Sequence, residues 1–441
     1  MTEATSFNVS QLDDGEDINL AKSIPALFET VIVVVLLLLF SEALLGPLLA
    51  DEKNPESSTV LRLMWPPIYL VVFLLMVPRL WAAINLVFRF PVIILLLLWV
   101  AASVTWSIDQ GVTFRRVLAI GMTTLFGFYL AMRYNWRELL VLFGITWLIL
   151  GIVSTIVSLA VPAIGVESEL HVGAWKGLWF QKNTLGGHMA RACLLFGYLA
   201  ITEPKWRSVW TFGLFMSIAL VLLSTSKTAL LGMLLGLGVL ALGAVMRRGP
   251  LLTLSMIWSL VIFGGVFVSI IVFEPDLFFD LLGRDAGLTG RTEIWAALQE
   301  LINQRPIFGY GYGAFWAEGS GPATYVKDLT QWDVPTAHNG WLETWLAVGL
   351  VGVVLFAISY VLTIARAVAT ATKSWVGFFV IGFFLQFALF SMSESIILHQ
   401  NTIVWVSYIA IAASLVQQNL GRGPIKLLGA RRRRDFILVD H

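Results

Sequence analysis

Apolar runs of membrane-crossing length follow one another along this chain, with only short polar breaks between most of them. A run of about 20 apolar residues spans a bilayer as a helix. The pattern predicts about twelve spans, at 25–50, 62–80, 88–106, 114–132, 138–161, 184–202, 208–224, 227–246, 250–273, 341–364, 374–391 and 401–417. The first is too long for a signal-peptide core and lacks a convincing cleavage site, so it is expected to stay as an uncleaved span. The expected fold is an all-α polytopic membrane protein. It divides into a polar tail (1–24), nine spans (25–273), one long outer loop (274–340), three spans (341–417) and a basic tail (418–441). No internal repeat of fixed period is visible.

Composition supports that class. With 58% hydrophobic residues, 13% charged residues and a mean hydropathy of +0.82, a soluble domain would leave far too much apolar surface exposed. The single cysteine, Cys193, lies in an apolar segment, so no intrachain disulfide braces the loops. The net charge of +1 says little about partners beyond membrane lipids, and no nucleic acid is expected. The placement of the basic residues says more. Twelve spans put both termini on one side, together with Lys22, Arg79, Arg89, Arg133, Arg137, Lys205, Arg207, Arg247, Arg248, Arg366, Lys373 and the run Arg431 to Arg434. The positive-inside rule makes that side cytoplasmic. A minority breaks the rule, among them Arg115, Arg116, Lys182, Arg191, Lys227, Arg291 and Arg305. Function is sought on that outer side.

Three outer clusters carry candidate chemistry. In the first, a Gly- and Trp-rich loop leads through Lys182 and Asn183 into the sixth span, where His188 and Arg191 share a helical face. An arginine at that depth costs about 2.5–3.5 kcal/mol on insertion scales, so it should face the interior or a wet cavity with a partner, as a structural ion pair or an anion site. His188 alone reads as a hydrogen-bonded core histidine. In the second, Ser224-Thr-Ser-Lys227 stands before the eighth span, where hydroxyl residues are ordinary helix caps and the lysine can snorkel to headgroups or meet an anion. The third is the long loop. Ile294, Trp295, Leu298, Leu301 and Ile302 have the spacing of an amphipathic helix against the membrane or the bundle, ended by Pro306. Phe308-Gly-Tyr-Gly-Tyr-Gly-Ala-Phe315-Trp316 alternates glycine with aromatics that would anchor at the interface or stack on sugars. His338 precedes a helix that begins near Asn339 and carries Glu343, a position that suits a general base, and Glu394 adds a carboxylate on the same side.

The segments GLWFQKNTLG, STSKTALLG, GRTEIW with RPIFGYGYGAFW, and AHNGWLETWLAVGLVG resemble the conserved block of the O-antigen ligase and polymerase superfamily (the WaaL and Wzy proteins). The QKNTLG form is most similar to the exopolysaccharide polymerases of that group. The resemblance covers about residues 170–355. It implies a GT-C-like helical fold and transfer of a glycan from undecaprenyl pyrophosphate to a hydroxyl, either on another lipid-linked glycan or on a lipid A core. It further implies an inner-membrane protein with its site on the periplasmic face. Family members commonly carry Arg where this chain has Lys227, which keeps the charge and loses the bidentate fork.

A departing pyrophosphate develops negative charge, which fixed cations or a metal can stabilise. No Asp-x-Asp pair lies on the predicted outer face. A metal-independent, cofactor-free reaction that inverts the anomeric centre is therefore expected. His338 and Arg291 are its expected catalytic residues, and Lys182, Asn183, Arg191, Lys227, Arg305, Asn339, Glu343 and Glu394 its substrate-binding residues. A lipid-linked glycan transporter is the rival reading, disfavoured because no inverted halves are visible and the unusual charges lie on one side.

Overall fold

A computed structural model describes residues 24–43, 59–168, 171–249, 291–331 and 333–418, with a few single positions between 252 and 258. Both predicted tails, most of the ninth span and the first part of the long loop, including Arg284, lie outside the described residues. The rest is helical, with one isolated two-residue bridge, Val166 to Trp175. We number the helices α1 (Ile24–Phe40), α2 (Thr59–Met76), α3 (Leu80–Arg89), α4 (Pro91–Ala102), α5 (Gln110–Arg133), α6 (Trp136–Ala160), α7 (Lys182–Thr202), α8 (Arg207–Leu223), α9 (Lys227–Met246), α10 (Arg291–Gln304), α11 (Gly321–Thr330), α12 (Gly340–Ala371), α13 (Trp375–Ser391) and α14 (Ile403–Gln418). Four-residue and 3-10 turns are left unnumbered.

Five helical stretches among the described residues are long and apolar enough to cross a membrane: Val60–Arg89, Trp136–Ala160, Pro204–Leu223, Lys227–Met246 and Gly340–Ala371. Several helices begin before the apolar run because a polar cap starts them. Asp109 accepts the Val112 amide for α5, and Asn135 with Glu138 forms a reciprocal capping box for α6. The region 62–106 differs from expectation. A 3-10 turn links α2 to a separate helix, α3, and Pro91, whose fixed φ suits a first helical position, restarts the chain as the short α4.

Helix α7 is the axis of packing. It is buried almost throughout from Leu185 to Leu199, although its polar residues make it one of the less hydrophobic spans. Glycines allow this closeness: a Cβ at Gly186 would meet Ala229 and Ser224 of the α9 region within 2.8 Å. On α13, the fully buried Gln386 donates to the Ala190 carbonyl of α7 (2.9 Å) and the Gly232 carbonyl of α9 (2.8 Å), tying three helices with one amide. At the opposite end of the bundle, Glu29 of α1 accepts from Arg79 (2.8 Å), Tyr129 (2.7 Å) and Arg133 (3.1 Å).

Helix α12 does not run straight. Gly349 adopts φ +70° and ψ −175°, and the Trp341 ring lies 5.5 Å from Phe356, fifteen positions further on. An unbroken helix would separate those positions by about 22 Å. The chain therefore turns sharply at Gly349. The predicted span at 341–364 becomes a short helix, 340–348, lying across a longer one, 350–371. The break frees backbone groups, and the loop after α10 takes them. Tyr310 and Gly311 amides donate to the Leu346 and Ala347 carbonyls, the Trp99 indole donates to Val348, and the Leu350 amide donates to Pro306. A buried break left without these partners would be costly.

That docking explains the alternating glycines. Gly309, Gly311 and Gly313 all have positive φ, and a Cβ at each would collide, respectively, with the Leu346 carbonyl, Ser107 and Arg116. The intervening Tyr310 and Tyr312 rings are buried and bonded through their hydroxyls to the Leu301 and Leu398 carbonyls. They pack the interior rather than stacking on sugars or anchoring at an interface. Phe308 stays exposed beside Trp99 and Trp106. The amphipathic face of α10 is buried as its spacing predicts, but against a small core of its own. Ile294, Leu298, Leu301 and Ile302 meet Tyr310, Phe315, Val326 of α11, Val334 and Leu346.

Gly349→Ala is expected to destabilise the protein by about 3 kcal/mol or more, since the conformation belongs to glycine and the new Cβ would strike the Ile307 carbonyl. Thermal unfolding in detergent measures this. An unchanged midpoint would show that the break can move.

Candidate active site

The α10–α12 region and the α13–α14 connection close over one end of the bundle. Arg291 opens α10 and donates from Nη1 to the Ser393 carbonyl (3.0 Å), with Nη2 3.9 Å from Glu394 Oε1. Glu394 Oε2 is 4.0 Å from His338 Nδ1. Glu394 also interacts electrostatically with Arg191, which reaches the cluster from α7. Arg291 and His338 thus meet at one carboxylate, which also lies within electrostatic range of Arg191.

His338 is held from both sides. The neighbouring Ala337 donates its amide to Glu343 Oε2 (2.8 Å), and its carbonyl accepts from the Trp295 indole of α10 (3.0 Å). His338 itself has φ +46°, which a non-glycine residue adopts at some cost and only where its surroundings impose it. Next comes Asn339, whose Oδ1 accepts from the Trp341 and Leu342 amides and caps α12. Glu343 Oε2 also accepts from the Trp316 indole (3.1 Å) and Ser395 (3.3 Å), so it knits the loop, the helix and the α13–α14 connection together.

Arg191 is buried, lies over the Phe390 ring (4.6 Å) and donates from Nη1 to the Gly187 carbonyl (3.0 Å). Its Nε has no hydrogen-bond partner among the described residues, nor has His188 Nδ1. The His188 ring is stacked on Trp179 (4.8 Å), so it differs from a hydrogen-bonded core histidine. A buried donor with no partner in the protein is a place where a ligand oxygen gains most.

Lys182 and Lys227 form a second group at the starts of α7 and α9. Lys182 donates to Thr225 (3.2 Å), two residues before Lys227, and Asn183 follows half-buried in the first turn of α7. Lys182 and Lys227 are the first residues of α7 and α9. Gln181 and Ser226 hold the cap positions without making a side-chain capping bond, contrary to the ordinary capping expected for the hydroxyl cluster. Two adjacent helix N-termini, each headed by a lysine, favour an anion.

The predicted cations thus divide into a helix-start pair, Lys182 and Lys227, and a pair near Glu394, Arg191 and Arg291. Arg305 joins neither. It is exposed against the Tyr310 ring (5.1 Å) just past the far end of α10, about 20 Å from Arg291 by helix rise. In the sequence Arg116 stood out only as one of the minority of basic residues that break the positive-inside pattern. The fold brings it from α5 against Gly313, within electrostatic range of Tyr312, Glu343 and His399. Those partners lie about 200 positions or more along the chain, so spacing gave no signal for the group.

A helical membrane protein with arginines, a histidine and carboxylates gathered at one end of its bundle has the parts for chemistry on an anionic substrate. Residues 212–357 match the O-antigen ligase family model, a stretch that holds Lys227, Arg291, His338 and Glu343. Over 189 residues the chain is 28% identical to the exopolysaccharide production protein ExoQ of Rhizobium meliloti (strain 1021), a match spanning 41% of this chain and 37% of that protein. These two likenesses support the O-antigen ligase and polymerase superfamily for the matched region.

Proposed function

We propose that this site transfers a glycan from undecaprenyl pyrophosphate to an acceptor hydroxyl, extending a polysaccharide on the outer face of the inner membrane. The meeting of Arg291 and His338 at Glu394, with Arg191 in electrostatic range and two lysine-headed helix N-termini on α7 and α9, is the observation that carries it. The acceptor oxygen bonds to the anomeric carbon on the face opposite the leaving group. The carbon–oxygen bond to the pyrophosphate breaks, and its electron pair leaves with the phosphate. His338 takes the hydroxyl proton. Glu394, 4.0 Å from Nδ1, stabilises the imidazolium that forms. The cations meet the charge growing on the pyrophosphate in a site partly shielded from water. The basic residues Arg79, Arg133, Arg137, Arg207 and Arg247 favour a cytoplasmic location for the other end.

Polymerisation is favoured by the likeness to an exopolysaccharide production protein, and ligation to a lipid A core by the match to the O-antigen ligase family. Purified protein offered lipid-linked repeat units with and without lipid A core separates the two. Transfer is expected to survive EDTA, because the fixed cations do the work assigned elsewhere to a metal. Loss of product in EDTA, restored by Mg²⁺, would overturn the cation mechanism.

A further inference from the structure

A second polar cluster lies behind Glu343, formed from elements far apart in sequence. Arg116 of α5 crosses Gly313 and faces Tyr312, Glu343 and His399. The Tyr312 hydroxyl meets Gln400 Oε1 (2.7 Å), and the Tyr69 hydroxyl of α2 meets Asn401 Oδ1 (2.7 Å). Leu398 and Asn401 have φ of +52° and +62°, and the Asn401 amide is fixed to Thr123 (2.9 Å). The surrounding fold thus holds the segment 398–401 in a conformation it would not choose alone. Arg116, Tyr69, His399, Gln400 and Asn401 are all half-buried rather than sealed in the core.

We infer that this cluster is the acceptor subsite, binding the hydroxyls of the incoming saccharide by Arg116, His399 and Gln400. The inference rests on the transferase reading above and assigns its second substrate. Three observations favour it. Inverting displacement requires nucleophile and leaving group on opposite faces of the anomeric carbon. The cations assigned to the pyrophosphate are carried by α7, α9 and α10, whereas this cluster is drawn from α2, α5 and the 398–401 segment and meets the 337–343 turn at Glu343. Its charge also differs: Arg116 has Glu343 within range, so the group is near neutral, whereas the other side is cationic. Finally, it mixes donors with acceptors, which suits sugar hydroxyls that do both. Burial and the nearby Arg116 lower the His399 pKa to about 4, so the imidazole stays neutral at ordinary pH with one nitrogen donating and the other accepting.

The test uses the full-length protein in nanodiscs. Saturation-transfer difference NMR with the carrier-free repeat-unit oligosaccharide reports glycan binding without turnover. Initial rates with acceptor and donor varied separately give the two KM values. Arg116→Lys and His399→Gln are expected to raise the acceptor KM at least tenfold, leave the donor KM within twofold, and weaken the saturation-transfer signal. Equal shifts in both KM values, or no shift in either, would overturn the inference, as would wild-type protein that transfers glycan yet gives no signal from the free oligosaccharide. If a variant fails to fold, the wild-type signal decides. Absence of transfer by the wild type with every acceptor would instead count against the transferase reading, and a glycan signal retained there would still support a saccharide site.

Discussion

His338→Ala is expected to lower glycan transfer at least a hundredfold while leaving the protein folded and membrane-inserted. A positioned general base contributes about 10² to 10⁴ in rate. The structure fixes His338 through its neighbours: Ala337 is bonded on one side to Glu343 and on the other to Trp295, and Asn339 caps α12 through its own side chain. Truncating the imidazole removes none of those bonds. Rate should fall while the unfolding midpoint stays put. Glu394→Gln is expected to cost less, about tenfold, because it removes the negative charge beside the imidazolium and leaves the base. Turnover by the purified variants, with thermal unfolding alongside, measures both. Near-normal turnover of His338→Ala would pass the role of base to Glu343 or Glu394.

The second large effect is expected at Arg291. Removing one donor to a developing negative charge costs about 10² to 10³ in rate, and Arg291→Ala should fall in that range in kcat/KM for the lipid-linked donor. The residue also fixes the α13–α14 connection through the Ser393 carbonyl and shares Glu394 with His338. One substitution therefore weakens the clamp and the partner of the base together. Arg291→Lys retains charge but cannot reach two directions with a planar fork, so a loss of at least tenfold is expected. Activity of Arg291→Lys equal to wild type would reduce the residue to a point charge.

Much of this arrangement was legible in the sequence, and the losses have physical causes. The apolar face of α10 read correctly because Ile294, Leu298, Leu301 and Ile302 keep helical spacing whatever they pack against. What covered that face was not legible, since α11 and the docked loop are distant elements. The bend in α12 was hidden because Gly349 sits inside an unbroken apolar run, and hydropathy does not register φ. In Phe308–Trp316 the aromatics drew attention, whereas the fold uses the glycines between them to bring a loop into the break of α12. The outer cations stood out because the membrane makes unusual charges conspicuous, yet nothing local separated the exposed Arg305 from Arg291. Arg116 was one of a minority of basic residues that break the charge pattern, with nothing to single it out until Gly313, Tyr312 and His399 met it.

The most direct test is transfer by the purified full-length protein in nanodiscs, supplied with an undecaprenyl-pyrophosphate-linked repeat unit and assayed for longer glycan in wild type, His338→Ala and Arg291→Ala. Wild-type protein should release undecaprenyl pyrophosphate in step with new glycosidic linkages, and both variants should fall by at least a hundredfold at unchanged folding. Glycan extension that proceeds equally well in both variants would contradict the site.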